Sequence, residues 1–383
     1  MSAELPKTVS LEASFCGRIL KSPFILSSGP LSYNADGIIA AMQAGCGAVV
    51  TKTIRLQPAQ NPPNHIITAA NNSLINCEKW SDIAYEQWCS VEIPKAVQNG
   101  GVLIASLGHT LQEAKVLAKE LEHAGAHMLE LVSYSVDDLL PMLDYVRAAV
   151  NIPVICKLSA NWPNLLATAK RCIEHKADGL CAIDSIGPVL KIDISGACPE
   201  LLSENGYGWL SGAAVRPVAL RINADVALQN PGFQNLYSSG GCMTATDAME
   251  FLMAGASAVG VCSVVILKGL PFIQRLNTDL EQLMRKYGYE NIQSLVGKAL
   301  PNLARHERHG RMRFHFQPFH LNGSAKCINC KKCELVCSYS ARKIRFPTME
   351  FSEAACRSCG LCVNVCPTGA LGFSIQEENT EPG

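Results

Sequence analysis

Neither sign of charge prevails in this chain. Its 33 Lys and Arg balance 33 Asp and Glu, so the basic excess that nucleic acid or an anionic membrane surface favours is missing. The opening residues, MSAELPKTVSLEASF, have no charged region followed by an apolar run, and no signal peptide is read there. The longest apolar stretch, residues 251–267, is interrupted by Gly255, Ser257, Gly260 and Ser263. It reads as a helix end followed by a buried strand, not as a membrane span. The expectation is a soluble cytoplasmic protein with no nucleic-acid and no membrane partner. At 48% hydrophobic and 17% charged residues, the chain can bury a sizeable core and is not intrinsically disordered.

What the sequence has in excess is cysteine, 18 in 383 residues. That is too dilute for a disulfide scaffold and well above ordinary usage. Ten are scattered over residues 1–300 beside apolar neighbours and are expected to pack as small hydrophobes. The other eight fall between Cys327 and Cys366 in two evenly spaced clusters, which points to metal ligation in a reducing compartment.

From Pro23 to about Gly288, short apolar runs alternate with amphipathic helical stretches such as LQEAKVLAKELEHAG and TATDAMEFLMAGA. The runs PFILSSG, AVVTKTI, VLIASLG, MLELVS, VICKLS, GLCAIDS, NLYSSGG and AVGVCSVVI suit strands buried on both faces of a parallel sheet. Eight βα units over this length predict a (β/α)8 TIM barrel. A doubly wound sheet, the alternative, would carry a glycine fingerprint after its first strand, and none is present.

The expected organisation is a barrel over 1–300, a basic linker over 301–326, a ferredoxin-like domain over 327–373 and a disordered acidic tail over 374–383. The linker, PNLARHERHGRMRFHFQPFHLNGSAK, holds four Arg and four His and shows little apolar periodicity. Residues 301–383 hold 11 basic and 7 acidic side chains, a net +4 that leaves −4 for residues 1–300. The neutral total therefore conceals a modest dipole, and Arg305–Arg313 is a candidate docking strap for a redox partner as well as a plain solvated linker.

The cysteine clusters are Cys327-x2-Cys330-x2-Cys333-x3-Cys337 and Cys356-x2-Cys359-x2-Cys362-x3-Cys366-Pro367. Both carry the bacterial ferredoxin run for a [4Fe–4S] cube, in which the fourth cysteine ligates the other cluster. Cys327, Cys330, Cys333 and Cys366 are thus expected to hold one cluster, and Cys356, Cys359, Cys362 and Cys337 the second. Zinc, the structural alternative, commonly uses two distant CxxC pairs or includes His. One departure is Ser338, where Pro usually follows the fourth cysteine. Two cubes pass single electrons, so a two-electron converter such as flavin is needed elsewhere.

Several separated segments together resemble the dihydroorotate dehydrogenase superfamily. They are PFILSSGP (23–30), AVVTKTI (48–54), NNSLINCEKW (71–80), CKLSANW (156–162), YGWLSGAAVRPVALR (207–221) and SSGGCMTATDAMEFLMAGASAVGVCSVV (238–265). The resemblance is strongest to the dihydropyrimidine dehydrogenase branch, whose FMN barrel is followed by a ferredoxin-like module. It implies an oxidoreductase of the CH–CH class acting on a small planar, pyrimidine-like substrate. It also implies an FMN site at the C-terminal strand ends. Ser28, Gly29, Lys52, Lys157, Ser211 and Gly212 would line this site, with Gly240, Gly241, Cys262 and Ser263 at the phosphate. Lys52 and Lys157 would then stabilise anionic reduced flavin.

By the same resemblance, Asn76, Glu78, Asp184 and Ser185 are substrate positions. Here the sequence departs from the pattern. Val132 stands where an asparagine is expected, Asp184-Ser185 replaces an Asn-Thr pair, and Ser135 takes the place of a catalytic loop cysteine. Ser135 is then the candidate general acid, with Tyr134 its competitor and neither residue a third reading. Asp184 either substitutes for Asn in a hydrogen-bond network or selects a ligand rich in N–H donors or positive charge. Because no dinucleotide fingerprint is present, the expected partner is an NAD(P)H-binding flavoprotein subunit or a ferredoxin. A homo-oligomer is also expected. The alternative function is an electron-transfer subunit whose barrel has lost substrate chemistry.

Overall fold

The computed structural model describes residues 8–303, 310–316, 327–345 and 348–377. The chain divides into two units, Met1–Ala304 and Arg305–Gly383.

In the first unit eight parallel strands close a barrel: β1 (Phe24–Leu26), β2 (Ala48–Val50), β3 (Val102–Gly108), β4 (Met128–Val132), β5 (Val154–Leu158), β6 (Gly179–Ala182), β7 (Leu236–Ser238) and β8 (Ala258–Val261). Each strand pairs with its sequence neighbours, and β8 returns to β1 through Val259–Phe24 and Val261–Leu26. The eight apolar runs are these strands, and the (β/α)8 expectation is met. Phe24, Ile25 and Leu26 in β1 and Ala48, Val49 and Val50 in β2 are all fully buried. A strand covered by helices outside and by other strands inside has no polar face to alternate with.

The helices repeat a simple logic. Thr110 caps Leu111–His123 by accepting the Glu113 N–H, and Ala114, Leu117, Ala118 and Leu121 form its buried stripe at helical spacing. The helix Phe272–Tyr287 buries Ile273, Leu276, Leu280 and Met284 and stops at Gly288, whose φ of 79° is left-handed. The stretch 251–267 is the end of the helix Ala245–Met253, then β8, then the short helix Ser263–Lys268. Among the described residues no helix is long and apolar enough to cross a membrane.

Sequence reasoning missed a second sheet. Ile66–Ala69, Ser73–Asn76, Gly208–Gly212 and Ile186–Val189 form a four-stranded antiparallel layer. Its strands come from the segments after β2 and after β6, so the pairing is non-local. Each strand is short, and SLIN and GWLSG alternate too weakly to be recognised as a strand.

In the second unit the ferredoxin-like repeat is explicit. Helices Lys332–Leu335 and Leu361–Asn364 follow the first two cysteines of each run. The proposed linker and tail boundaries need correction. Gly310–Phe316 is a strand paired antiparallel with Leu371–Glu377, so part of the expected linker and the start of the expected tail are ordered sheet. RMRFHF alternates basic with apolar residues, a strand period that the local density of Arg and His concealed. The rest of the basic strap, residues 304–309 and 317–326, and the tail residues 378–383 lie outside the described residues.

The loop after β7 is fixed by a capping box: Thr244 accepts the Asp247 N–H, and the Asp247 carboxylate accepts the Thr244 N–H. Thr244→Ala is expected to lower barrel stability by about 1 kcal/mol, and Thr244→Ser to retain most of it. A shift in the urea midpoint at constant slope measures this.

Candidate active site at the barrel mouth and a thiol-lined module

The barrel unit opens a cavity of about 190 Å3 at the C-terminal ends of its strands. The strand-end residues Ser28, Gly29, Lys52, Lys157, Gly240, Gly241, Cys262 and Ser263 all line it. From the antiparallel layer come Asn76, Trp209, Ser211 and Gly212, from the end of β4 Val132, and from the loops Glu78, Tyr134, Asn161, Asp184 and Ser185. All but one of the barrel residues picked out from sequence therefore meet in one place. Ser135 is the exception. It is not among the lining residues, and its hydroxyl instead accepts the Asp137 N–H to cap the helix Val136–Ala149. The register of the divergent loop brings Tyr134 to the cavity instead.

One corner of the cavity is built from close backbone. Gly241 has φ 87° and Gly212 also φ 87°, conformations that favour glycine. A Cβ on Gly241 would come within 2.5 Å of the Gly212 carbonyl oxygen and 2.8 Å of the Arg216 nitrogen. A Cβ on Gly29 would meet the Cys262 sulfur at 2.8 Å. Beside this corner the Ser263 hydroxyl donates to the Ser211 hydroxyl at 2.9 Å. Small residues, hydroxyls and bare backbone on one wall suit a phosphate-bearing group, so the residues present fit FMN there.

The cations lie deeper. Lys52 and Lys157 are both nearly buried, and both are paired. Lys52 forms an ion pair with Glu78. Lys157 lies 3.5 Å from Asp184 and 3.9 Å from Glu130. Burial alone would lower the Lys157 pKa, but the Asp184 and Glu130 carboxylates outweigh it and hold the ammonium form well above its ordinary range. Glu130 was missed from sequence, although it sits in the LELVS run. It is fully buried, accepts the Tyr237 phenol hydrogen on one oxygen, and has no hydrogen-bond partner on the other. That second oxygen faces Lys157, so the carboxylate serves the charge of the cavity lysine. A buried anion is tolerated only with such partners.

The outer wall is aromatic. The Tyr134 ring stacks on Trp209 with centroids 5.9 Å apart and planes 8° from parallel. It meets His109 edge-on at 5.2 Å and Trp80 at 5.8 Å, while Arg55 covers Trp80 at 4.1 Å. The Trp162 indole donates to the Tyr134 carbonyl at 3.1 Å and so holds the loop. About half of the Tyr134 surface is open toward solvent or cavity, yet its phenol lies among protein groups. Their burial of it, and then the Asp184 carboxylate, push its pKa up to about 12. Trp80 and Trp209 belong to segments quoted for the resemblance, but nothing in the sequence showed that they would converge on Tyr134. Asn161, similarly missed, accepts the Gly187 N–H at 3.1 Å and donates to the Ser185 carbonyl at 3.2 Å, tying β5 to β6 across the opening.

Of the ten barrel cysteines, Cys16, Cys46, Cys156, Cys172, Cys181 and Cys242 are buried. Cys262 lines the cavity with its thiol pushed up to about 11 by burial, a neutral packing group at ordinary pH.

In the second unit Cys327, Cys330, Cys333 and Cys366 line a single cavity, together with Ile328, Lys331, Ile344, Thr368, Ala370 and Leu371. Three sulfurs come from the first run and one from the end of the second. They ring the cavity instead of converging at a point: among the described residues no three His, Cys, Asp or Glu side chains group as ligands of a single ion. Thiols around an apolar space suit an iron–sulfur cube. Of the other four, Cys337 accepts the Ala341 N–H at 3.3 Å, Cys356 the Ser358 N–H at 3.4 Å, and Cys362 the Arg342 Nε–H at 3.1 Å. Cys359 is exposed.

Comparison with known proteins agrees with both halves. Residues 109–284 match the family profile described as dihydroorotate dehydrogenase, and residues 326–370 that of a 4Fe-4S dicluster domain. The catalytic subunit of dihydroorotate dehydrogenase B (NAD(+)) from Methanothermobacter thermautotrophicus is 32% identical over 306 residues, covering 76% of this chain and 98% of its own. The corresponding subunit from Pyrococcus abyssi is 29% identical, with coverages of 76% and 99%. The NAD-dependent dihydropyrimidine dehydrogenase subunit PreA of Escherichia coli K12 is 26% identical over 399 residues, covering 95% of both chains.

Gly241→Ala is expected to abolish or strongly deplete bound flavin, because the added methyl must displace either the Gly212 carbonyl or the loop itself. Flavin absorbance of the purified protein reads the loss, with unchanged far-UV circular dichroism and iron content showing that both units remain folded.

Proposed function

The chain belongs to the dihydroorotate dehydrogenase family, CH–CH oxidoreductases that bind FMN, and carries a 4Fe-4S domain; on that footing we propose that it reduces or forms a C=C bond in a planar, pyrimidine-like molecule. Two [4Fe–4S] clusters would relay the electrons. The observation that carries this reading is the single cavity in which a glycine corner, two buried paired lysines and a phenol face one another. FMN, when bound, supplies the change between two-electron chemistry at carbon and one-electron exchange with clusters.

The chain's own residues do the rest. Gly212, Gly240, Gly241, Ser211 and Ser263 would seat the phosphate. Lys157, kept charged by Asp184 and Glu130, and Lys52, paired with Glu78, would favour negative charge on the ring system. Tyr134 would hold the proton. With its pKa pushed up to about 12, the phenol stays protonated throughout the working range and can donate to a substrate carbon or oxygen, and it is a poor base. The near-parallel Trp209 ring fixes its plane.

Substrate selection follows from what replaces the family's amides. The Val132 side chain contributes no hydrogen bond, and an ionised Asp184 can accept but not donate. A ligand that presents N–H donors toward Asp184 and a flat face toward the Tyr134–Trp209 pair is favoured over one that relies on an amide at position 132. Leaving a buried partner unpaired costs about 1–3 kcal/mol, enough to exclude a close analogue. The redox partner would be an NAD(P)H-binding subunit, since the E. coli relative is a subunit of an NAD-dependent enzyme and this chain has no dinucleotide fingerprint of its own. The displacement of Ser135 from the cavity favours a second reading, an electron-transfer subunit without substrate chemistry.

Mixing anaerobically reduced protein with pyrimidines, hydantoins and other N–H-rich cyclic enones separates the two readings. Reoxidation of the flavin by at least one of them is expected, and a blank screen would favour electron transfer alone. In the responsive pair, Tyr134→Phe is expected to slow reoxidation by roughly 100-fold or more. Ser135→Ala should leave the rate near wild type and cost about 1 kcal/mol through its lost helix cap. Because the raised pKa delays loss of the phenol hydrogen, the wild-type profile should show no alkaline fall from Tyr134 until the pH nears about 12. A Tyr134→Phe rate equal to wild type removes the phenol from this role.

A further inference from the structure

The two cysteine runs of the second unit are repeats, and the structure superimposes their roles. Each run carries a helix that holds its third cysteine and is followed by a strand, and the strands Arg342–Arg345 and Leu371–Glu377 begin five residues after Cys337 and Cys366. The residues before these starts, Ala341 and Ala370, are both buried. Lys331 and Gly360, which precede the two helices, both have left-handed φ, at 56° and 75°. At the position after the buried alanine the symmetry breaks: one half has Arg342, the other Leu371, each 3% exposed. Among residues 327–345 and 348–374 of this unit, Arg342 is the one charged side chain that is buried.

Its surroundings hold the guanidinium in place. Nε donates to the Cys362 sulfur at 3.1 Å, a second nitrogen lies 3.5 Å from the Met349 sulfur, and the Phe351 ring sits 4.5 Å from the guanidinium carbon. Burying a cation against two sulfurs and an aromatic face is costly unless a negative partner repays the lost hydration. A cluster-ligating sulfur at Cys362 would be such a partner. It belongs to the ligand set of the second cluster, with Cys356, Cys359 and Cys337.

We propose that Arg342 makes the two clusters unequal: its N–H···S bond and fixed charge raise the reduction potential of the cluster held by Cys356, Cys359, Cys362 and Cys337 above that of its twin. The reasoning rests on the two-cluster reading above. Adding an electron to a cube increases its negative charge, and a nearby cation with a hydrogen bond to a ligand sulfur stabilises that form. The other half of the repeat has only the alkyl chain of Leu371 at the equivalent place. The same charge acts on the first cluster through space, so that cluster moves in the same direction but less. Electrons therefore collect on the second cluster, which becomes the lower-energy resting place within the module.

Potentiometric titration of the full-length chain with its clusters loaded, followed by electron paramagnetic resonance, tests this. Arg342→Leu, which restores the symmetry of the repeat, is expected to lower one reductive step by at least tenfold in equilibrium constant, about 59 mV for one electron, and the other by clearly less. The step that moves should be the one whose signal Cys359→Ser also alters. Arg342→Lys, which keeps the charge without the planar donor, should fall between the wild type and the leucine variant. If both steps stay within about twofold of wild type, or if both shift equally, the proposal is overturned. Should Arg342→Leu fail to assemble its clusters, the lysine variant carries the test, and a wild-type potential there also overturns it. Iron content below two full cubes in the wild type would instead overturn the two-cluster reading.

Discussion

Closure of the parallel barrel is the constraint on which the catalytic unit depends. Strands covered on both faces must be apolar along their length, so polar side chains are displaced to strand ends, and parallel orientation sends every C-terminal end to the same side. Ser28, Lys52, Lys157, Gly240 and Cys262 are far apart in sequence and meet for this reason alone. The same burial that assembles them makes their charges expensive. Near the floor of the cavity Lys52 is paired with Glu78 and Lys157 with Asp184 and Glu130, and Glu130 in turn is anchored by Tyr237. Removing Glu78 would take away the carboxylate paired with Lys52, whereas Lys157 is held by two.

The antiparallel layer has a different purpose. It is not needed to close the barrel, yet it supplies Asn76, Trp209, Ser211 and Gly212 to the cavity. Trp209 meets Tyr134, which arrives from the loop after β4, and Trp80 and His109 complete the aromatic wall. The floor of the cavity is therefore built by the barrel and the outer wall by insertions. A floor set by closure suits a cofactor held in common with relatives, and a wall made from insertions can change with the substrate. The replaced positions, Val132 at the end of β4 and Asp184 just after β6 and beside Lys157, lie on the barrel side instead.

In the iron–sulfur unit, the repeat places cysteines of both runs around one cavity. A doubled module with identical halves would give its electrons no preferred site. Arg342 is where the halves differ in buried charge, and the difference falls on the Cys362 sulfur, which the two-cluster reading makes a ligand.

The sequence alone determined the architecture and the chemical classes. Eight apolar runs separated by amphipathic helices require a barrel, and two cysteine runs with cube spacing require iron–sulfur ligation, because both signals are local and periodic. The cavity lysines, glycines and hydroxyls were also legible, as strand-end residues in a fold whose reactive end is known. The tertiary structure alone decided what depends on contact between distant segments. The four-stranded layer pairs strands from the loops after β2 and β6, and no local pattern encodes such pairing. Tyr134 rather than Ser135 faces the cavity because the hydroxyl one residue on is taken by a helix cap. Glu130 looked like one more residue in a buried run until its free oxygen was found opposite Lys157. The linker was misread because its charge density outweighed its alternation, and its partner strand lies about sixty residues away in the sequence. Arg342 read as one basic residue among eleven, and only its burial against Cys362 distinguishes it. Composition counts charges, but folding decides which of them lose their water.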